Sequence, residues 1–234
     1  VHGADGLGEV GKQQPVGSVI DRTAAEFIVD MARKHPGEIT LVPVGPLTNI
    51  ALALDLEPRL PELVREIVLM GGAATVSGNV TPAAEANIYG DPHAADRVFS
   101  APWKVTMVGL DVTTKVRLED EVLARLATAN PKIGGFIWEI TRFYKRFYES
   151  TGVTGGFYVH DPSAVAYVID PDLFETRPAR VRVDSDGLGT GQTIAAFGSL
   201  RQYWTPWVEA PDTQVCVGVD AAAMLRLFES TLTP

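Results

Sequence analysis

A stretch of mostly small and apolar residues at 78–96, GNVTPAAEANIYGDPHAAD, carries three side chains that could recognise a polar ligand: Asn79, Glu85 and Asn87. A glutamate carboxylate accepts two or more hydrogen bonds, while an asparagine amide both donates and accepts. A loop that contacts only solvent would be free to carry Lys, Ser or Gln at these positions, and this loop carries none of them there. The residue types therefore indicate a loop that binds a ligand rich in hydroxyl groups.

Predicted strands and helices alternate around this stretch. Apolar runs predict strands at 38–44, 66–72 and 104–110, and amphipathic segments predict helices at 22–36, 45–54 and 91–99. Strands that are apolar on both faces and alternate with helices predict an α/β fold, an open and mostly parallel sheet with helices on both faces. Ligands bind beyond the carboxyl ends of such strands. The stretch with Glu85 follows the second strand, at that edge of the sheet.

The second half of the chain is predicted to add helices at 119–129, 133–150 and 221–232 and short strands at 179–185, 191–197 and 213–219. Asp91-Pro92 and Asp161-Pro162 each match a helix start, with Asp as the N-cap and Pro directly after it. The sequence contains no internal repeat, low-complexity tract or linker. We therefore expect residues 1–234 to form a single domain.

Composition excludes some classes of partner. The 234 residues are 46% hydrophobic and carry a net charge of −9, so the field of the protein repels nucleic acid and anionic membranes but is compatible with a cation site. No apolar run is long enough to span a bilayer. Cys216 is the only cysteine and lies in an apolar run. We interpret it as a buried strand thiol, which favours a reducing compartment and a cytoplasmic protein.

Two glycine-rich stretches resemble ligand loops without meeting their requirements. GLGEVG at 6–11 matches the dinucleotide pattern G-x-G-x-x-G, but no strand precedes it and a poor helix sequence follows. VDSDGLGTG at 183–191 lacks the remaining ligands of a calcium loop. We interpret the first as a flexible loop and the second as a tight turn between strands.

Four histidines differ in their local context. His160 directly precedes the predicted helix start at Asp161, where a capping role is the alternative to a chemical one. His2 lies in a glycine-rich loop that does not decide its role. His35 at a helix end and His93 in a first helical turn are interpreted as surface or structural residues.

Five segments, taken in order, resemble the inosine–uridine-preferring nucleoside hydrolases. They are VHGADGLG, LVPVGPLTNIALAL, EIVLMGGA, GNVTPAAEANIYGDPHAA and VHDPSAVAYVI, and they run from residue 1 to about residue 170. The resemblance implies a Rossmann-like nucleoside hydrolase fold. It also implies hydrolysis of the N-glycosidic bond of a ribonucleoside to ribose and free base, with a Ca²⁺-bound water as the nucleophile.

The resemblance also implies roles for individual residues. Asp161 matches a calcium-ligating aspartate, and Val44 matches the position that gives its backbone carbonyl to the metal. The residues that match the ribose-binding positions are Met70, Asn79, Glu85 and Asn87. His160 matches a candidate general acid for the departing base, and His2 matches a second histidine on that side of the pocket.

The sequence departs from the family pattern at its N-terminus. The family's aspartate cluster, D-x-D-x-x-x-D-D, which supplies most calcium ligands, is absent, as is the strand–helix–strand block that carries it. The chain is then either the C-terminal larger part of a longer protein or a natural truncation without a complete metal site. Because the ribose-binding residues are all present, we favour the first explanation.

The base-binding side is harder to assign. Tyr144, Phe147 and Tyr148 lie on one helical aromatic stripe, a pattern more often found in a core than in a ligand-binding wall. Tyr148 is nevertheless taken as the substrate contact. Trp204 and Trp207 are further candidates for stacking, and Ala86 replaces an aromatic residue common in the family.

A non-catalytic module that binds a nucleoside or ribose remains the alternative function. The resemblance implies a homo-oligomer, a dimer or tetramer.

Overall fold

The computed structural model describes residues 1–11, 17–199 and 207–233. These residues form two compact units. The smaller unit comprises Val1–Ile20, Thr114–Val159 and Asp220–Pro234, and the larger comprises Asp21–Thr113 and His160–Val219. The single domain expected over 1–234 stays a prediction.

The larger unit is built on a mostly parallel sheet. In chain order the strands are β1 (Thr40–Leu41), β2 (Glu66–Met70), β3 (Val105–Val108), β4 (Arg117–Leu118), β5 (Phe157–Tyr158), β6 (Phe174–Val183), β7 (Thr193–Phe197) and β8 (Asp212–Val219). Six of them form one sheet in the order β1-β2-β3-β8-β6-β7. The strands β1, β2, β3 and β8 pair in parallel, whereas β6 pairs antiparallel with both β8 and β7. The α/β fold with a mostly parallel sheet is thereby confirmed.

Helices connect these strands. They are α1 (Ala24–Lys34), α2 (Thr48–Leu56), α3 (Leu60–Leu63), α4 (Ala86–Gly90), α5 (Pro92–Ser100), α6 (Leu110–Thr113), α7 (Asp120–Ala129), α8 (Ile133–Ser150), α9 (Asp161–Ile169) and α10 (Ala221–Leu232). Among the described residues, no helix is both long and apolar enough to cross a membrane.

The centre of the sheet is fully buried. Every residue of β3 and the last four residues of β2 are inaccessible to solvent, the pattern of strands covered on both faces. Cys216 in β8 is buried as predicted, and burial raises the pKa of its thiol to about 12. The thiol is therefore protonated and unreactive at neutral pH.

The first strand is shorter than the run 38–44 predicts. Pro43 has no backbone N–H and cannot donate to a neighbouring strand, so regular pairing stops after Leu41. Its carbonyl still accepts the N–H of Met70 at 3.0 Å. The segment up to Pro43 therefore continues alongside β2.

The two Asp-Pro pairs predicted to start helices have different outcomes. In α5, Asp91 is the N-cap, its carboxylate accepts the N–H of Ala94 at 3.0 Å, and Pro92 is the first helical residue, as predicted. In α9, the prediction that Asp161 is the N-cap is wrong, because Asp161 is already helical and His160 occupies the cap position. The side chain of His160 makes no capping hydrogen bond, so the capping interpretation of this histidine is wrong as well.

The smaller unit consists mainly of α7, α8 and α10 with the β4–β5 pair. Asp120 at the start of α7 binds Arg142, at 2.8 Å, and Lys145, both on α8. Asn130 donates from Nδ2 to the carbonyl of Leu232 at 3.0 Å, which attaches the end of α10. Residues 6–11 form turns and bends, and the described residues 1–11 contain neither a strand nor a helix. A dinucleotide-binding loop joins a strand to a helix, and this context is not present within residues 1–11.

Candidate active site

Glu85 lies at the carboxyl end of β2 and is the N-cap of α4. Its Oε1 accepts the backbone N–H of Asn87 at 2.9 Å, and its Oε2 accepts those of Ile88 at 3.1 Å and Gly72 at 3.0 Å. The side chain is only 2% exposed. The spacing of two between Glu85 and Asn87 thus reflects a helix cap, and Asn87 lies in α4, not in the extended loop expected from the sequence.

Asn87 connects α4 to the last residue of β2. Its Nδ2 donates to the carbonyl oxygen of Met70 at 3.1 Å and lies 3.2 Å from the sulfur of Met70. Asn79 approaches the same helix from the preceding loop, where its Oδ1 accepts the N–H of Ala86 at 2.9 Å. The structure therefore brings Met70, Asn79, Glu85 and Asn87 into one hydrogen-bonded cluster.

These bonds determine which amide atoms could meet a ligand. A backbone carbonyl needs a donor and a backbone N–H needs an acceptor, so both amide orientations follow from their partners. Within the described residues, the Oδ1 of Asn87 and the Nδ2 of Asn79 make no hydrogen bond. The cluster thus presents one acceptor and one donor, which suits recognition of hydroxyl groups.

The cluster has a negative electrostatic character. Burial raises the pKa of Glu85, its three backbone hydrogen bonds lower it, and the charge of Asp161 raises it further. Asp161 is the exposed first residue of α9, a helix that packs against β2. Among the described residues no cationic side chain shifts the pKa of Glu85. The two carboxylates together favour a positive charge nearby.

The side chain of His160 is held by a residue of α6, the short helix that follows β3. Its Nδ1 lies 2.8 Å from the Oγ1 of Thr113, the last residue of α6. Burial lowers the pKa of His160 to about 4, so the neutral imidazole is the dominant form at neutral pH. The general-acid role requires a protonated ring and stays a prediction.

Two buried polar residues near β3 were missed at the sequence level. Asp111 is 2% exposed and accepts the N–H groups of Ala74 and Thr75, both at 2.8 Å, and the hydroxyl of Thr75 at 2.6 Å. It thereby holds the loop that follows β2. An aspartate directly after an apolar strand was the available signal, whereas nothing in the sequence around Thr113 indicates its contact with His160.

The remaining predicted residues on the base side lie in the smaller unit. His2 is exposed and its ring stacks on Tyr144, with ring centres 5.0 Å apart and planes at 12°. The hydroxyls of Tyr144 and Tyr148 are 3.3 Å apart, and Tyr148 is buried edge-on against Tyr158. Their contact with a base stays a prediction.

Of the two tryptophans proposed for stacking, only Trp207 lies within the described residues. Trp207 donates from its indole nitrogen to the carbonyl of Ile194 at 3.2 Å. Trp204 lies outside the described residues. Stacking by either residue stays a prediction.

The described residues do not complete a calcium site. No three His, Cys, Asp or Glu side chains within 1–11, 17–199 and 207–233 group closely enough to hold a metal ion. Asp161 offers one carboxylate and Val44 one carbonyl, whereas Ca²⁺ takes about six to eight oxygen ligands. This donor set on its own does not fit the metal.

The fold and the cluster define an α/β protein with a polar site at the carboxyl end of an interior parallel strand, β2. The profile of the family described as "Inosine-uridine preferring nucleoside hydrolase" matches residues 1–226. The chain belongs to this family.

Individual relatives are similar over nearly the whole chain. "Uridine nucleosidase 1" of Arabidopsis thaliana is 38% identical over 99% of this chain and 69% of its own length. "Inosine-uridine preferring nucleoside hydrolase" of Crithidia fasciculata is 41% identical over 94% of this chain and 69% of its own. The solved structure of a plant nucleoside hydrolase, the PpNRh1 enzyme, superimposes with a TM-score of 0.95 at 35% identity, over 100% of this chain and 74% of that one.

Proposed function

We propose that this chain hydrolyses the N-glycosidic bond of ribonucleosides, giving ribose and the free base. The observation that carries the proposal is the hydrogen-bonded cluster of Met70, Asn79, Glu85 and Asn87 at the carboxyl end of β2, in a chain that belongs to the nucleoside hydrolase family. The names of relatives, such as uridine nucleosidase and inosine-uridine preferring nucleoside hydrolase, support a ribonucleoside as the substrate class.

The ribose side of the site suits the charge that develops during the reaction. Glycosidic cleavage passes through an oxocarbenium-like transition state, in which positive charge grows on the sugar. The carboxylates of Glu85 and Asp161 favour that charge more than they favour the neutral substrate. The Oδ1 of Asn87 and the Nδ2 of Asn79 would accept from and donate to ribose hydroxyls and hold the sugar in place.

The leaving-group side is assigned to His160, with His2 and Tyr148 as further base contacts. A departing base needs a hydrogen-bond or proton donor at one of its nitrogens, and a histidine can supply it. His160→Ala should then slow hydrolysis of inosine and uridine far more than hydrolysis of nitrophenyl riboside, whose leaving group needs no such help. Equal losses on both kinds of substrate would contradict this assignment.

Calcium is the metal we propose, with Asp161 and the Val44 carbonyl as two of its ligands. Hard oxygen donors suit this ion. Because the described donors do not complete the site, we derive no step of the reaction through the metal. Calorimetric titration with Ca²⁺ tests the proposal directly: binding that Asp161→Asn weakens supports it, and equal binding by both proteins contradicts it.

A non-catalytic module that binds ribose or a nucleoside is the second candidate. The cluster of Met70, Asn79, Glu85 and Asn87 would bind a sugar with or without turnover. Ribose release from inosine and uridine, measured with Ca²⁺ and with a chelator, separates the two. Release supports hydrolysis, and its loss with chelator supports the metal. Ribose binding without release supports the binding module.

Assembly and location are part of the same proposal. We expect a homo-oligomer, a dimer or tetramer, as the resemblance implies, and a location in the cytoplasm, which the single buried cysteine favours. Light scattering on the eluted protein would measure the mass in solution, and a monomer at micromolar concentration would contradict the first expectation.

A further inference from the structure

We propose that Thr113 is a positioning residue for His160: it donates its hydroxyl hydrogen to Nδ1 and so holds the neutral imidazole in the tautomer that carries its hydrogen on Nε2. Both residues belong to the larger unit. The contact spans 47 residues of sequence, with 2.8 Å between Oγ1 and Nδ1. Thr113 is completely buried, so water does not compete for its hydroxyl.

The direction of this hydrogen bond follows from the partners of Thr113. A helical threonine often donates to the carbonyl four residues earlier, which here is Gly109. That carbonyl already accepts the N–H groups of Val112 and Thr113, both at 3.1 Å. Within the described part of the chain, Nδ1 of His160 is the only hydrogen-bond partner of the Thr113 hydroxyl.

A buried hydroxyl hydrogen without an acceptor is costly. If Nδ1 carried the ring hydrogen, Thr113 Oγ1 would have to accept it, and the threonine's own hydrogen would lack a partner. The arrangement therefore selects an unprotonated Nδ1. In a neutral imidazole the hydrogen then resides on Nε2.

The consequence for the reaction rests on the proposed function. A departing base accepts a hydrogen bond from whichever ring nitrogen bears hydrogen, and Thr113 ensures that this nitrogen is Nε2. Partners that fix the tautomer and orientation of an imidazole have the same role at metal sites, where their loss costs roughly 10- to 100-fold in activity.

The tautomer can be measured without any assay of activity. In ¹⁵N-labelled protein at pH 7.5, long-range proton–nitrogen correlation distinguishes a protonated from an unprotonated ring nitrogen, and His160→Gln identifies the signals of His160. We expect a protonated Nε2 in the wild type and in Thr113→Ser, and a mixture of tautomers in Thr113→Val. A protonated Nδ1 in the wild type would overturn the inference, and so would an unchanged tautomer in Thr113→Val.

A matched control comes from β3. Thr106 is also a buried threonine, but its hydroxyl has no hydrogen-bond partner among the described residues. Thr106→Val should therefore leave the His160 signals unchanged. If Thr113→Val does not fold, the wild type and Thr113→Ser spectra still decide the tautomer.

Steady-state kinetics test whether Thr113 affects hydrolysis through His160. For inosine, kcat should fall by roughly 10-fold in Thr113→Val with KM little changed, recover in Thr113→Ser and stay near wild type for nitrophenyl riboside. A parallel loss on both substrates would overturn the positioning role. If the wild type itself releases no ribose, the proposed function fails, while the nitrogen signals still settle the tautomer.

Discussion

The Oε2 of Glu85 lies 3.0 Å from the backbone nitrogen of Gly72, two residues beyond the end of β2. The same oxygen accepts the N–H of Ile88 in the first turn of α4 at 3.1 Å. One buried carboxylate therefore joins the segment after β2 to the start of the helix that carries Asn87. The position of Asn87 relative to Met70 depends on this carboxylate.

Glu85→Gln should destabilise the protein by about 1–3 kcal/mol. The carboxylate accepts three backbone N–H groups, whereas a glutamine amide would turn its NH₂ donors toward at least one of them. Urea unfolding measures the loss. Glu139→Gln, at an exposed position on α8, is the control and should change stability little. Equal effects of the two substitutions would contradict the role given to Glu85.

The stability difference between the wild type and Glu85→Gln should depend on pH. Burial is the largest cause that raises the pKa of Glu85, so the folded state binds this proton more tightly than the unfolded state does. Its contribution to stability is then fully present below the ordinary carboxyl pKa, about 4.3, and is lost as pH rises through the raised value. The unfolding free energy of wild type minus that of Glu85→Gln should therefore fall as pH increases from about 4. A difference that grows with pH would contradict it.

Gly72→Ala should be more destabilising than Gly37→Ala. Both glycines have positive φ, 85° and 75°, so both substitutions incur the strain of about 1–2 kcal/mol for this conformation. At Gly72 the new Cβ would also lie 2.9 Å from the sulfur of Met107 and 3.0 Å from Cγ2 of Thr193, whereas nothing lies within 4 Å at Gly37. The difference in unfolding free energy between the two variants measures the cost of crowding beside Met107 and Thr193. Equal losses would show that the end of β2 tolerates a methyl group.

Sequence reasoning was most accurate where local signals determine structure. The predicted helices 133–150 and 221–232 coincide with α8 and α10, and Asp91 caps α5 as expected. Helical periodicity and capping operate within a few residues, so the sequence contains them explicitly. The position of β8 between β3 and β6 was not predicted, because pairing between distant strands depends on tertiary contacts.

The candidate site was predicted in its residues but not in its local structure. The helix α4, ANIYG, is short and includes a glycine and an asparagine, so its intrinsic helix propensity is weak. It is stabilised by the buried Glu85 cap and by Asn87, two contacts that exist only after β2 and the loop meet. Asp111 and Thr113 were missed for the same reason, since their partners are more than 30 residues away.

Thr213→Val and Thr193→Val should change stability in opposite directions. Thr213 in β8 is completely buried, and its hydroxyl has no hydrogen-bond partner in the part of the chain that the structure describes. Valine should therefore raise the unfolding free energy by about 1 kcal/mol. The hydroxyl of Thr193 accepts the N–H of Ala73 at 2.8 Å and donates to its carbonyl at 2.9 Å. Valine there leaves both backbone groups unpaired and should cost about 1–3 kcal/mol. Chemical denaturation of the two variants checks the contrast, and a loss of similar size in both would mean that the hydroxyl of Thr213 has a stabilising contact after all.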